Sequence, residues 1–141
     1  ENNTLDNGIK KGLLTKQSKK ANSKNFTFKD FNELALQQDY NNLYDLYVAT
    51  KKEHPMMEIP ESNLNTLGLQ LVFNPNTSEQ GIHVFLLATK LYPNSANLFD
   101  SLGEAYLFMD YKEKAIESFE RSLKLNSQNP NAIDRLKQLK E

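Results

Sequence analysis

The residue whose surroundings come closest to a catalytic motif is Ser101, in the run FDSLG at 99–103. A G-x-S-x-G nucleophile needs a glycine two positions before the serine and a sharp strand-to-helix turn that exposes its hydroxyl. Here the first glycine is absent, and the neighbouring apolar residues recur with helical spacing. We therefore predict that Ser101 is a helix residue and not a nucleophile.

Metal and phosphate chemistry is equally poorly supported. His54 and His83 each lack a second histidine or a carboxylate cluster at ligand spacing, and the chain has no cysteine. Neither a Ser-x-x-Lys pair nor a glycine-rich phosphate loop occurs. We predict no catalytic residue, no metal and no cofactor, and we expect both histidines at the surface.

Composition narrows the partner classes. The chain has 141 residues and a formal net charge of -1, which suits one domain and does not favour general attraction to nucleic acid. No stretch approaches the ~18 apolar residues of a membrane span. Residues 1–25 are polar and rich in lysine, and we predict a linker or arm there, with a basic patch as the alternative.

Beyond residue 26 the apolar residues recur at helical spacing, and no segment alternates as a half-buried strand would. Breaks fall near residue 38, at Pro55, at 74–76, at Pro93, at 110–111 and at Asn129. The pattern therefore predicts seven helices and an all-α fold.

Two stretches repeat. The run LNTLGLQL (64–71) matches FDSLGEAY (99–106), and GIHVFLLA (81–88) matches AIESFERS (115–122). The offsets are 35 and 34 positions, close to the ~34-residue period of tetratricopeptide (TPR) repeats, which this chain resembles. The residues that carry the resemblance are Leu67, Gly68, Gly81, Phe85, Phe99, Leu102, Gly103, Tyr106, Ala115 and Phe119.

The TPR resemblance implies a right-handed superhelix of about three antiparallel helix pairs and a C-terminal cap helix. We divide the domain, 26–141, into 26–55, 60–93, 94–127 and 129–140. The first pair is a degenerate repeat or a bridge to a neighbouring domain. Small residues let paired helices touch, so we expect Gly68 to face Gly81 and Gly103 to face Ala115. Ser122 departs from the alanine usual at its place.

A narrower resemblance lies in the runs NTLG (65–68), YPNSAN (92–97) and DSLGEAY (100–106). These runs are similar to TPR tails of bacterial secreted serine hydrolases of the esterase and serine β-lactamase-like kinds. The likeness implies a periplasmic or secreted location and a hydrolase domain on the N-terminal side of the same parent chain. It would make this chain an accessory domain that packs on the enzyme or extends its substrate cleft.

The TPR resemblance also implies a binding surface, because the first helix of each pair lines the concave face. Such a face carries amides that suit a peptide main chain and carboxylates that suit a basic partner. It lacks the basic clamp that would favour an acidic tail. The alternative is that these residues merely cap helices or face solvent. The expected binding residues are Asn65, Leu69, Val72, Asn97, Asp100, Glu104, Leu107, Asn131, Asp134 and Gln138.

We therefore predict a non-catalytic module that binds a protein or peptide, with the hydrolase accessory domain as the alternative. A third and weaker option is a homodimer through a surface formed by Tyr40, Tyr44 and Tyr47.

Overall fold

The computed structural model describes residues 26–38 and 40–141, and these residues form helices and their connections without a strand. The predicted linker, 1–25, lies outside the described residues. A single 3-10 turn, Tyr40–Asn42, precedes the second helix. The helices are α1 (Phe28–Leu36), α2 (Leu43–Glu53), α3 (Glu61–Val72), α4 (Ser78–Leu91), α5 (Ala96–Phe108), α6 (Lys112–Leu125) and α7 (Pro130–Leu139).

Local signals set where several helices begin and end. Thr27 and Asp30 form a capping box at the start of α1, and the Ser95 hydroxyl accepts from the backbone of α5. At the other end of α5, Asp110 adopts a φ of 64°, in the left-handed region. The Tyr111 N–H then donates to the Tyr106 carbonyl at 2.8 Å, which closes the helix. These local contacts therefore fix the start of α1 and both ends of α5.

The pairs α3 with α4 and α5 with α6 pack closely along their lengths. A Cβ added to Gly68 would lie 2.7 Å from the Phe85 ring, and one on Gly103 would lie 2.7 Å from the Phe119 ring. Each glycine thus makes room for the buried aromatic of its own pair. A Cβ on Gly81 would lie 2.8 Å from the carbonyl oxygen of Gly68, so those two glycines do meet.

The expected contact between Gly103 and Ala115 stays a prediction. The side-chain position of Gly103 meets the Phe119 ring first, and Ala115 is not among the three nearest atoms. Ala115 is nevertheless fully buried in the same pair.

The first pair packs on α4 rather than repeating the close α3–α4 geometry. Tyr40 is buried, with 6% of its surface exposed, and its hydroxyl donates to Asn32 at 3.2 Å. Tyr44 lies beneath the Lys90 ammonium, 4.5 Å from its ring centroid. The three-tyrosine dimer surface is therefore wrong for Tyr40, because that ring belongs to the core.

The buried hydrogen bonds of Ser122 explain why serine stands where the repeat pattern usually has alanine. Ser122 is fully buried, donates to the Ala96 carbonyl at 2.8 Å and accepts from the Asn129 amide at 3.0 Å. The hydroxyl thus joins the end of α6 to the start of α5 and to the cap of α7. An alanine would leave the Ala96 carbonyl and the Asn129 amide without this partner.

Candidate functional site

The exposed sides of α3, α5 and α7, which we call the concave face, hold most of the predicted binding residues. Asn97, Asp134 and Gln138 are exposed. A second group is half-buried, and it comprises Asn65, Leu69, Asp100, Glu104, Leu107 and Asn131. Val72 is fully buried and lies against Gly81, so it is a core residue and its assignment to the face is wrong. As the last residue of α3, it is directed inward by the packing of α4.

Between α5 and α7 the polar residues of the face bond to one another. The Asn131 amide donates to both carboxylate oxygens of Asp100, at 3.0 and 3.1 Å, and to Glu104 Oε2 at 2.8 Å. The carboxylates of Asp100 and Glu104 were predicted to suit a basic partner. In the structure they already have donors from α7, so this half of the face stabilises the fold.

Arg135 completes that arrangement and was not predicted. Its Nε and Nη2 donate to the two carboxylate oxygens of Glu104 at 2.7 and 3.0 Å, and Nη1 donates to Gln138 at 3.3 Å. The sequence carried a signal, because residues 131, 135 and 138 share one side of a helix. Only the fold shows that this side meets Glu104.

Burial raises the pKa of the Asp100 carboxyl, and the Asn131 and Asn129 amides only partly oppose that change. The hydrogen bonds that Arg135 donates to Glu104 raise the pKa of its guanidinium, which stays charged. The α5–α7 half therefore contains a neutralised ion pair beside a carboxylate that is costly to ionise.

Between α3 and α5 the equivalent positions differ. Counting one repeat back, Asn65 replaces Asp100, and Asn97 replaces Asn131. The Asn65 Oδ1 atom is buried and has no hydrogen-bond partner among the described residues. Buried acceptors without donors are rare in folded proteins and cost about 1–3 kcal/mol each. This half of the face therefore contains an acceptor without a donor, although the oxygen itself is closed to solvent.

An aromatic pair ends the face and was also missed. Phe73 caps α3, Phe108 is the last residue of α5, and their ring centroids lie 5.2 Å apart in an edge-to-face contact at 90°. The two occupy matching positions, 35 apart, so the repeat alignment could have located them. Both remain about half exposed.

A shallow cleft on another side is formed by the ends of α4, α5 and α6. There the Tyr111 hydroxyl donates to Glu79 at 2.7 Å, and the Lys114 ammonium lies near the Tyr106 and Tyr111 rings. His83 lines this cleft and is half-buried. The charged and aromatic groups are largely engaged with one another, so the cleft is a weaker candidate than the concave face.

The residues considered for catalysis and metal binding have structural surroundings. Ser101 is nearly buried in the middle of α5. His54 stacks on Phe26 with ring centroids 4.0 Å apart, so it is not the simple surface residue we expected. Within 26–38 and 40–141, no cluster of three histidine, aspartate or glutamate residues could hold a metal ion. None of the helices described is long and apolar enough to span a bilayer.

With the helix pairs and the face established, the fold class follows: this is an all-α, TPR-like superhelix. Among solved structures, 19 chains match it. One is the first TPR of Spaghetti (RPAP3) bound to the HSP90 peptide SRMEEVD, with a TM-score of 0.53 and 19% identity. The match covers 79% of this chain and 86% of that one, and at this identity it shows the fold alone.

No family model and no curated protein matches the chain. The predicted link to TPR tails of secreted serine hydrolases, with the location and partner it implies, therefore stays a prediction from the sequence.

Proposed function

We propose that this chain is a non-catalytic interaction module that binds an extended peptide segment across the α3–α5 half of its concave face. The observation that carries the proposal is the buried, unpartnered Asn65 Oδ1. A peptide main chain supplies N–H donors at regular intervals, and such a donor would satisfy this acceptor once the half-buried Asn65 amide turns its oxygen toward the ligand. Asn97, exposed on the next helix, adds a second amide with both donor and acceptor capacity.

The charges on the concave face indicate which net charge the ligand should carry. The face carries the carboxylates of Asp100, Glu104 and Asp134, and Arg135 neutralises one of them. The RPAP3 domain binds a peptide that contains three acidic residues. A similarly acidic peptide would meet like charge here, so we propose a neutral or basic segment instead.

The α5–α7 half plays a supporting part in this proposal. Because Asn131 and Arg135 already donate to its carboxylates, a ligand would have to displace α7 contacts to reach them. We therefore assign Asn65, Leu69 and Asn97 to ligand contact. Asp100, Glu104 and Asn131 hold the neighbouring helix in place.

The test begins with a random peptide library selected on the full chain, followed by calorimetry of the recovered peptides. Asn65→Ala should weaken binding about tenfold, since it removes one buried hydrogen bond, and Asn97→Ala should weaken it less. Asn63→Ala is the matched control, because Asn63 is an exposed asparagine on the same helix, away from the face. The peptide SRMEEVD serves as an acidic comparison and should bind most weakly.

Two results would overturn the proposal. One is a selection that recovers no peptide binding more tightly than about 1 mM. The other is equal affinity for the wild type and for Asn65→Ala and Asn97→Ala, which would remove the concave face as the site.

A further inference from the structure

Charge is distributed unevenly along this chain. Residues 1–25 contain six lysines and two acidic residues, which gives them a formal net charge of +4. Because the whole chain has a formal net charge of -1, residues 26–141 have one of -5. Opposite charges on two parts of one chain attract each other, most strongly where carboxylates have no basic partner nearby. The lysines of 1–25 are therefore attracted to such carboxylates on the domain.

The cleft formed by α4, α5 and α6 contains carboxylates of this kind. Glu79, Asp110 and Glu113 line it, and Lys114 supplies the one ammonium among its lining residues. All three carboxylates belong to exposed residues. The ion pairs formed among the described residues use bases from 130–141, and neither pair includes these carboxylates. Negative charge therefore exceeds positive charge along the walls of the cleft.

The cleft also offers apolar and aromatic surface. Leu86 is 37% exposed and Tyr111 is 40% exposed. The Lys114 ammonium lies 5.7 Å from the ring centroid of Tyr106 and 5.8 Å from that of Tyr111, within the ~6 Å of a cation–π contact. The cleft has a volume of about 480 Å³, in the range of ~300–1,000 Å³ typical of ligand pockets. It therefore suits a segment that carries both apolar and cationic side chains.

One run of the basic segment has this composition. The run IKKGLLTK (9–16) contains three lysines, no acidic residue, and the apolar residues Ile9, Leu13 and Leu14. Residues 17–25 carry three more lysines but no large apolar side chain. The chain from residue 16 to Phe26 spans up to about 33 Å when extended, more than twice the ~13 Å radius of gyration of a domain of this size. The run can therefore reach the cleft.

We infer that the cleft is a docking site for residues 9–16 of the same chain. The lysines of the run meet the three carboxylates of the cleft, and its apolar side chains cover Leu86 and the Tyr111 ring. Exposed ion pairs contribute only about 0–1 kcal/mol each, so the contact is weak. Because both parts belong to one chain, their effective concentration is on the order of 1 mM, and a weak contact suffices. The inference is independent of the peptide-binding proposal, which concerns the concave face.

A first experiment locates the segment in the full chain. The chain has no cysteine, so Ser18→Cys provides a single position for a nitroxide spin label beside the run. Relative to a diamagnetic label, the amide NMR signals of Asp110 and Glu113 should broaden more than those of Asn65 and Asn97 on the concave face. The broadening should fade between about 0.1 M and about 1 M salt, since the Debye length falls from about 10 Å to about 3 Å. Even broadening over the domain, or stronger broadening on the concave face, would overturn the docking site.

A second experiment reverses the charges in the labelled chain. Lys10→Glu with Lys11→Glu should weaken the broadening at the cleft about threefold, because two exposed pairs are lost. Glu79→Lys with Glu113→Lys should weaken it by a similar factor, and combining all four changes should restore it. Glu79→Gln with Glu113→Gln removes the charges without reversing them and should cause a smaller loss in the same direction.

The control pair is Lys19→Glu with Lys20→Glu, which carries the same charge change outside the run. It should have less effect than Lys10→Glu with Lys11→Glu, and an equal effect would overturn the assignment of 9–16. The broadening should not depend on protein concentration. If isotope-labelled chains without nitroxide broaden equally when mixed with nitroxide-labelled chains, a second copy supplies the segment, and docking within one chain is wrong.

Discussion

Two steps along the repeat, from α3 to α5 and from α5 to α7, bring equivalent positions of neighbouring helices together. The side chains at those positions make different contacts in the two steps. In the second step Asn131 donates to Asp100 and Glu104. In the first step the equivalent residue, Asn97, makes no hydrogen bond to Asn65, whose Oδ1 stays unpartnered among the described residues. A solenoid repeats its core and is free to vary the side chains of its face.

The difference shows which polar groups of the face are already hydrogen-bonded and which are not. Polar groups that bond to each other stabilise the stack, whereas a buried group without a partner costs stability. In the α5–α7 step, the bonded network holds α7 against α5. The α3–α5 step lies between packed helices on both sides, so it can tolerate a buried acceptor without a donor.

The largest expected effect tests whether the two repeats, α3–α4 and α5–α6, have equivalent cores. Gly68→Ala and Gly103→Ala should each lower the free energy of unfolding by about 2 kcal/mol, because each Cβ would lie 2.7 Å from a buried aromatic ring. Chemical denaturation with urea measures both. Costs that differ by more than about 1 kcal/mol would show that the two repeats are not equivalent in the core.

The next effect distinguishes the bonded α5–α7 step from the α3–α5 step. Asn131→Ala removes the donor to two carboxylates and should lower the free energy of unfolding by about 1.5 kcal/mol. Asn97→Ala, at the equivalent position one repeat earlier, is the control and should stay within about 0.5 kcal/mol of the wild type. Equal losses in the two variants, measured by urea denaturation, would contradict the comparison.

A smaller effect has the opposite sign. Asn65→Ala removes a buried acceptor without a donor, so the free energy of unfolding should rise by about 0.5–1 kcal/mol. Alanine also favours helix more than asparagine does, so Asn63→Ala on the same helix serves to subtract that contribution. The increase in the free energy of unfolding for Asn65→Ala, beyond that for Asn63→Ala, measures the cost of the unpartnered oxygen. A smaller increase for Asn65→Ala than for Asn63→Ala would contradict the assignment of this oxygen as unpartnered.

The smallest effect is a pH dependence. Because burial raises the pKa of Asp100 above its ordinary 3.8, the folded state holds the proton more tightly than the unfolded state does. The wild type should therefore lose stability, relative to Asp100→Asn, as the pH rises from 3.8 through the higher folded pKa. Urea midpoints of both proteins across this range provide the measurement. A difference that grows in the other direction would show that the Asn131 bonds outweigh burial.

Much of the fold was predictable because its signals are local. Helical periodicity and the prolines located the helices, and the matched runs around Gly68 and Gly103 gave the repeat. Errors arose where a side chain near a helix boundary could face either way. Val72 and Tyr40 were both assigned to surfaces, and both are buried in the structure.

The face itself was predicted only as a set of positions. Spacing along α5 and α7 placed Asp100, Glu104 and Asn131 on one side of their helices, but it carried no information on which of them would bond together. Arg135 was overlooked because its role depends on Glu104, 31 residues earlier. Contacts between repeats depend on the rotation of each helix about its axis, which no single run of residues reveals.

The sequence by itself determined the helices, the period of the repeat and the small residues at the helix crossings, because turn residues and periodic apolar residues act within a few positions of one another. Only the tertiary structure decided which polar groups of the face satisfy each other and which remain open. Those contacts join residues about 30 positions apart, and stacking the helices is what brings them within hydrogen-bond distance.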